Sequence, residues 1–470
     1  MRTIITYIVS LILAVTPMAE YTEGVVGQPE MFLPGQATTQ TDRTISRLLY
    51  KGLFKYDIYG VLVPDLAESW SISDSGIVYT ITLKDNQYWS NGQKVSSDDL
   101  IYTAFKIPDL EGVGTDRVDD LTVRYILPNK YSPFLSLLTV GVLPNGALEK
   151  NDTLTPVSSG NFRVLRVEKR GDLIKRVTLM HNDNQSNIRK ISFRYYSSED
   201  ELVTAARLGE IDAFLAREEH ELQNFENQRF PLQGIYYSLL FNLNEETFTD
   251  KDLRTDLEKV LSVNDLIYLY GISVEGPVSR SLFTDTSIEF DKYEEDFSAD
   301  LGGKELEFTV PDASRHTDLA EMVADIWEEK LNVNVKLRKV PPEDIVSRVI
   351  TPRNFEVLLY GQEIDRDPDR YVYWHSTQTA APNLNLSGFS HVRADRALEE
   401  GRNEPDNDKR VVHYNEFQEV VVQEVPAIFL YHPYTNYYVS QFVEGMGEKY
   451  TFGYEDRFLD FENWKRIRTN

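Results

Sequence analysis

The stretch from Leu306 to Leu337 reads "LEFTVPDASRHTDLAEMVADIWEEKLNVNVKL", and its hydrophobic period changes twice. Leu306, Phe308 and Val310 alternate with polar neighbours, the period of a strand whose side chains point to opposite faces. Leu319, Met322, Val323, Ile326 and Trp327 then recur at i, i+3, i+4, i+7 and i+8, which is one face of a helix. Val333, Val335 and Leu337 alternate again. Strand, amphipathic helix and strand in about thirty residues make a βαβ unit, which requires a parallel sheet and a right-handed crossover. The fold class is therefore α/β.

The same alternation and punctuation extend outward. In "IVYTITL" (77 to 83), Ile77, Tyr79, Ile81 and Leu83 share one side, so this is a strand. Ser90, Asn91 and Gly92 turn the chain, and Ser96 with Asp99 has capping-box spacing ahead of an apolar helical run. Gly209 follows a helical stretch at the place of a left-handed cap, and Ile211 to Leu215 resumes as a strand. At 470 residues the chain exceeds one compact core, so about three units and the clefts between them are expected.

Composition excludes several functions. Acidic residues outnumber basic ones by 26 (75 against 49), a balance that repels phosphate backbones, so no nucleic-acid partner is expected. Without cysteine there is no disulfide, thiolate nucleophile or Cys-ligated zinc. Met1 and Arg2 precede a twelve-residue apolar run, Ile4 to Val15, and then Pro17, Met18 and Ala19. That is the layout of an export signal, cleaved after Ala19 or retained as an N-terminal membrane anchor. No enzyme is expected. GxSxG, HExxH, GxxxxGK[ST] and GxGxxG are absent, and the seven histidines show no zinc-ligand spacing on a shared helix.

One loop stands out chemically. "YGQEIDRDPDRYVYWHS" (360 to 376) packs three aspartates and two arginines around Pro368 at the end of an apolar run. Asp365, Asp367 and Asp369 occupy positions one, three and five of a calcium loop, but Arg370 stands where glycine is required and Ser376 where glutamate is required. No metal site and no cofactor are expected. The loop remains a candidate acceptor for a ligand's positive charge.

In chain order the sequence carries "DRTISRLLYKGLFKYD" (42 to 57), "LVPDLAESWSISDSGIVYTITLKDNQYWSNGQKVSSDDLIYT" (62 to 103), "PVSSGNF" (156 to 162), "LGEIDAF" (208 to 214), "LLFNLNEETFTDKDLR" (239 to 254), "DRDPDRYVYWHS" (365 to 376), "NLSGFS" (385 to 390) and "VPAIFLYHP" (425 to 433). This ordered set resembles the family 5 extracellular solute-binding proteins, receptors of peptide and nickel ABC importers. The resemblance implies a periplasmic-binding-protein type II fold: two lobes, a cleft, and an extra subdomain in the first lobe. It sets the segments at 1–19 for the signal or anchor, 20–45, 158–265 and 436–470 for the first lobe, 46–157 for the extra subdomain, and 266–435 for the second lobe.

The resemblance further implies an extracytoplasmic monomer that takes a peptide-like solute and delivers it to the transmembrane subunits of an importer. Nickel chelates or oligosaccharides are the alternative cargo, and a hydrolase or surface interaction protein on the same shell is the alternative class. Asp365 corresponds to the carboxylate that receives a ligand ammonium, with Glu363 next in line. The backbone of Gly361, Gln362, Glu363 and Ile364 would pair with an extended ligand. Thr38, Thr39, Gln40 and Thr41 match the family's second ligand-facing strand, and Trp374 would stack in the cleft or fill the second lobe's core. Gln362 stands where peptide-binding members often carry tryptophan. Asp367 and Asp369 are expected to serve the turn, with Asp367 a solvent-exposed charge worth no more than about 1 kcal/mol.

Overall fold

A computed structural model describes residues 19–150, 152–274, 276–279, 288 and 292–467. Of the export segment expected at 1–19, all but Ala19 lies outside the described residues. Among the described residues no helix is long and apolar enough to cross a membrane.

The βαβ unit forms as its pattern requires. Strand Lys304–Pro311, helix Ser314–Leu331 and strand Val333–Val340 follow in order, and the two strands pair in parallel with Leu306 opposite Val335 and Phe308 opposite Leu337. Leu319, Val323 and Trp327 of the helix are fully buried, while Met322 is 42% exposed, so the apolar face is narrower than the sequence suggested. The Trp327 indole donates to the Leu257 carbonyl at 2.9 Å, satisfying its one polar atom in the core.

This unit is one edge of a 13-stranded sheet. Across the sheet lie Val333–Val340, Lys304–Pro311, Val357–Glu363, Ile235–Phe241, the long strand Ala427–Ser440, Ala213–Ala216, Glu20–Val26, Lys190–Tyr196, Leu173–His181 and Phe162–Arg170. Ala427–Ser440 belongs to both halves. Its first part pairs with Ile235–Phe241 through Ala427 to Tyr431, and its last part pairs with Ala213–Ala216 through Asn436 to Val439. In the second lobe Val357 and Leu359 face one core, with Leu257 and Trp327, while Leu358 faces the other, with Ala397 and Phe417. A sheet covered on both faces explains the unbroken apolar runs of its strands.

Strands Ala67–Ile72, Val78–Leu83, Thr122–Ile126 and Gly114–Arg117 form a separate antiparallel sheet with helix Ser97–Lys106 packed on it. Asp99 organises this unit. Its carboxylate accepts from the Ser96 amide at 2.9 Å, the Trp89 indole at 3.1 Å and the Asn145 amide at 2.8 Å. The capping residue therefore also ties the "WSNG" turn to the helix, and the unit shares one apolar core with the first lobe.

The boundary expected at 265 needs correction. Strand Ile235–Phe241 pairs with Val357–Glu363, and helix Lys251–Lys259 buries Leu253 and Leu257 in the second-lobe core. The chain therefore crosses between lobes near 228–234. A strand's hydrophobicity reports that it is buried, whereas its sheet is set by pairing distant in sequence.

Candidate functional site

The acidic loop leaves the end of strand Val357–Glu363, where two neighbours fix its path. Gly361 lies opposite Tyr237, and a β-carbon on Gly361 would sit 2.7 Å from the Tyr237 ring. Tyr237 is itself stacked on Tyr431, with centroids 4.9 Å apart and planes 8° from parallel, and burial with nearby tyrosines pushes its hydroxyl up to about 12. Gln362 points inward and accepts from the Tyr236 hydroxyl at 3.1 Å. Ile364 is buried, and its amide donates to the Gly234 carbonyl at 2.9 Å, so that N–H is already used within the protein. Of this segment only Glu363 is an exposed side chain.

Beyond the strand, most charges of the turn are consumed by the fold. Arg410, 3% exposed, grips Asp367 through both terminal nitrogens at 3.1 and 2.6 Å. Its guanidinium is thereby held well above its ordinary range, although burial alone would lower it. Asp369 accepts from Arg402 at 2.8 and 2.7 Å and from the Tyr371 amide at 3.1 Å. Arg370 is 1% exposed and donates to the carbonyls of Pro277 (2.8 Å), Asp365 (3.2 Å) and Asp367 (2.6 Å). Arg366 pairs with Asp456 and lies over the rings of Tyr56 and Phe452, 4.6 and 4.8 Å from their centroids.

Asp365 is the exception. Among the described residues no cation lies within 4.0 Å of its carboxylate and no donor is hydrogen-bonded to it, although its main-chain carbonyl receives Arg370. It is an exposed residue lining a cavity of about 450 Å³ between the lobes, together with Pro34, Gly35, Ala37, Asp109 and Tyr131. Burial pushes the carboxyl above its usual range, the charge of Arg370 opposes that, and the carboxylates of Asp369, Asp109 and Asp367 add to it. A second cavity of about 610 Å³, walled by Tyr59, Trp70, Tyr79 and Tyr450, shares Tyr56, Ser136, Arg366 and Asp367 with the first.

Three expectations are corrected here. Thr38 to Thr41 is no strand. Thr39 caps helix Gln40–Leu49, its hydroxyl accepting from the Asp42 amide at 3.1 Å, and Gln40 and Thr41 are in the first turn. The Thr39-x-x-Asp42 spacing carries that signal in the sequence. Trp374 is 1% exposed and packs among Phe389, Phe417 and Phe429, so it fills the core and leaves the cleft to other residues. Asp367 is buried and not solvent-exposed, as is Asp369, although both do serve the turn, Asp367 accepting from the Asp369 amide at 3.0 Å and Asp369 from the Tyr371 amide at 3.1 Å. Their arginine partners lie 43 and 33 residues away, beyond any local signal. Sequence reading also passed over Asp109, Tyr131, Arg43 and Arg47, which line the same cavity. Among the described residues no three His, Cys, Asp or Glu side chains converge as a metal site.

Two lobes bridged by one continuous strand, a subdomain set into the first, and a cleft between them define a type II periplasmic-binding-protein fold. Residues 61–261 match the family model described as "Bacterial extracellular solute-binding proteins, family 5 Middle", which supports the resemblance read from the ordered motifs over that stretch. The oligopeptide-binding protein AppA of Bacillus subtilis is 23% identical over 94% of this chain and 90% of its own. Among solved structures, NikZ from Campylobacter jejuni in complex with Ni(L-His) aligns with a TM-score of 0.72, 21% identity, and coverage of 96% of this chain and 100% of that one. AppA from Bacillus subtilis in complex with a nonapeptide aligns at 0.68, with 19% identity over 96% and 99% of the two chains.

Proposed function

We propose that this protein is an extracytoplasmic receptor that captures a peptide-like solute between its two lobes and delivers it to the transmembrane subunits of an ABC importer. The observation that carries this reading is the Asp365 carboxylate. In a turn where Asp367, Asp369 and Arg366 are held in ion pairs and Arg370 is spent on carbonyls, this carboxylate is the one acidic group with no cation within 4.0 Å among the described residues, and it lines the cavity between the lobes. A cavity-lining carboxylate with no ion pair of its own is free to meet a ligand ammonium. The bound state of AppA, a nonapeptide complex, agrees with that chemistry. Work as a receptor rests on binding and lobe closure, and the site needs no catalytic group for it.

The test is the cargo itself. Purified protein is denatured and the released small molecules are identified by mass spectrometry, alongside thermal shifts against a peptide library. Peptide is expected in the released fraction, with upward shifts for a subset of the library. Recovery of no peptide together with no shift would sink the reading, and a sugar or metal chelate in its place would reassign the cargo.

A further inference from the structure

The cavity of about 610 Å³ plays no part in the receptor reading, and its volume lies within the usual range of small-molecule sites. Trp70 of strand Ala67–Ile72 and Tyr79 of strand Val78–Leu83 reach it from the antiparallel sheet, Tyr59 from the turn after strand Phe54–Tyr56, and Asp408 from the first turn of helix Asn407–Glu424. Trp70 is 43% exposed and Tyr59 74%, whereas Trp89, Trp327, Trp374 and Trp464 are at most 3% exposed. A T-shaped contact with Phe54, centroids 5.1 Å apart, fixes the Trp70 ring. Tyr56, which also lines the cavity, already holds one cation, the Arg366 guanidinium, 4.6 Å from its ring centroid. The electron-rich face of an aromatic ring attracts positive charge, and that of tryptophan does so most strongly.

The charged side chains that line this cavity are Arg366, Asp367, Asp408 and Arg410. Asp456 neutralises Arg366, and Arg410 and Asp367 neutralise each other. Asp408 is exposed, and among the described residues no cation lies within 4.0 Å of its carboxylate. The local balance is therefore negative, in a chain with 26 surplus acidic charges, so the cavity repels anions and draws cations. The geometry points to a second small-molecule site, one that takes an organic cation against its aromatic walls with Asp408 as the counter-charge. A quaternary ammonium is the class that such walls suit, because it has no N–H to satisfy and presents its charge through methyl groups that pack on rings. This inference stands apart from the peptide reading, which rests on Asp365.

Because Trp70 is the exposed tryptophan, the fluorescence of the intact protein reports this site. With sodium chloride replaced by choline chloride at constant ionic strength, a saturable change in tryptophan emission is expected in the millimolar range. Dimethylbutanol, in which carbon replaces the charged nitrogen of choline, should bind at least about threefold more weakly. Broadening of the choline methyl signal in proton magnetic resonance follows binding in the variants. Trp70→Leu should weaken it about three- to tenfold, and Asp408→Asn about two- to fivefold. No saturable response to choline, or equal binding of dimethylbutanol, would overturn the cation site. The isostere alters the ligand alone, so that arm stands even where a variant folds poorly. Undiminished broadening in folded Trp70→Leu would also overturn the site by placing choline elsewhere, and undiminished broadening in folded Asp408→Asn would overturn the counter-charge. Peptide release is unaffected by any of these outcomes, so this inference and the receptor reading fail separately.

Discussion

Neighbouring aspartates of the loop should respond to the same substitution in opposite ways, because one faces the cavity and the other is locked to Arg410. Asp365→Asn keeps the shape and removes the charge, so peptides with free N-termini should bind more weakly by roughly 2–5 kcal/mol, while N-acetylated peptides are almost unaffected. Titration of both peptide forms checks this, and equal losses would make Asp365 a loop-shaping residue. The pH dependence has a defined sign. The Asp365 carboxyl is raised above 3.8 in the unliganded protein, and an incoming ammonium favours its ionised form, so binding releases a proton. Affinity should fall as pH drops through that raised value, and the profile of Asp365→Asn should be flat in the same window. Asp367→Asn acts on the fold instead. It leaves the buried Arg410 guanidinium without its counter-charge, for which a loss of about 3–5 kcal/mol in unfolding free energy is expected by denaturant titration. A change under about 1 kcal/mol would restore the view of Asp367 as a minor turn charge.

Strand Val357–Glu363 is held against Ile235–Phe241 by a contact that only glycine allows. Adding a β-carbon at Gly361 drives it into the Tyr237 ring, which cannot simply swing away because Tyr431 stacks on it. Gly361→Ala should therefore cost about 1–3 kcal/mol, the usual range for overpacking. Tyr237→Ala in the same chain should recover part of that loss, and strictly additive effects in the double-mutant cycle would show that the ring is not the obstacle. The strand was legible as a strand from its apolar run. Its partner was not, since the run is equally compatible with either lobe. Helix Gln40–Leu49 shows the reverse case: the cap at Thr39 and Asp42 was written locally, yet the segment before "TISRLL" was expected to be extended on the strength of the family resemblance.

The whole molecule is linked by few crossings: the segment near 228–234 and strand Ala427–Ser440, whose pairing passes from one half of the sheet to the other between Tyr431 and Asn436. Pro433 lies within that interval and cannot donate to a ladder. Few backbone connections and a cleft favour hinge rotation. A smaller radius of gyration in small-angle scattering is therefore expected at saturating ligand. Superimposable profiles would mean a rigid cleft. Contacts already spanning the cleft, among them Arg366 to Asp456 and the Ser132 amide to the Arg402 carbonyl at 2.8 Å, are ones such a rotation must keep or exchange.

The sequence by itself determined the α/β class, the βαβ unit, the Ser96–Asp99 cap and the Gly209 turn, because each depends on residues a few positions apart whose periodicity and backbone preferences are local. The ordered motifs supplied the resemblance to a family and, with it, the expectation of two lobes and of Asp365 at the cleft. Tertiary structure alone decided which aspartates of "DRDPDR" are free. Arg402 and Arg410 come from the other end of the lobe to neutralise Asp369 and Asp367, and Asp456 comes from near the C-terminus to hold Arg366. It likewise decided that Trp374 is core and that Arg43, Arg47 and Asp365 line one cavity. Charge pairing and burial depend on distance in space, and a chain that crosses between lobes separates that distance from distance along the sequence.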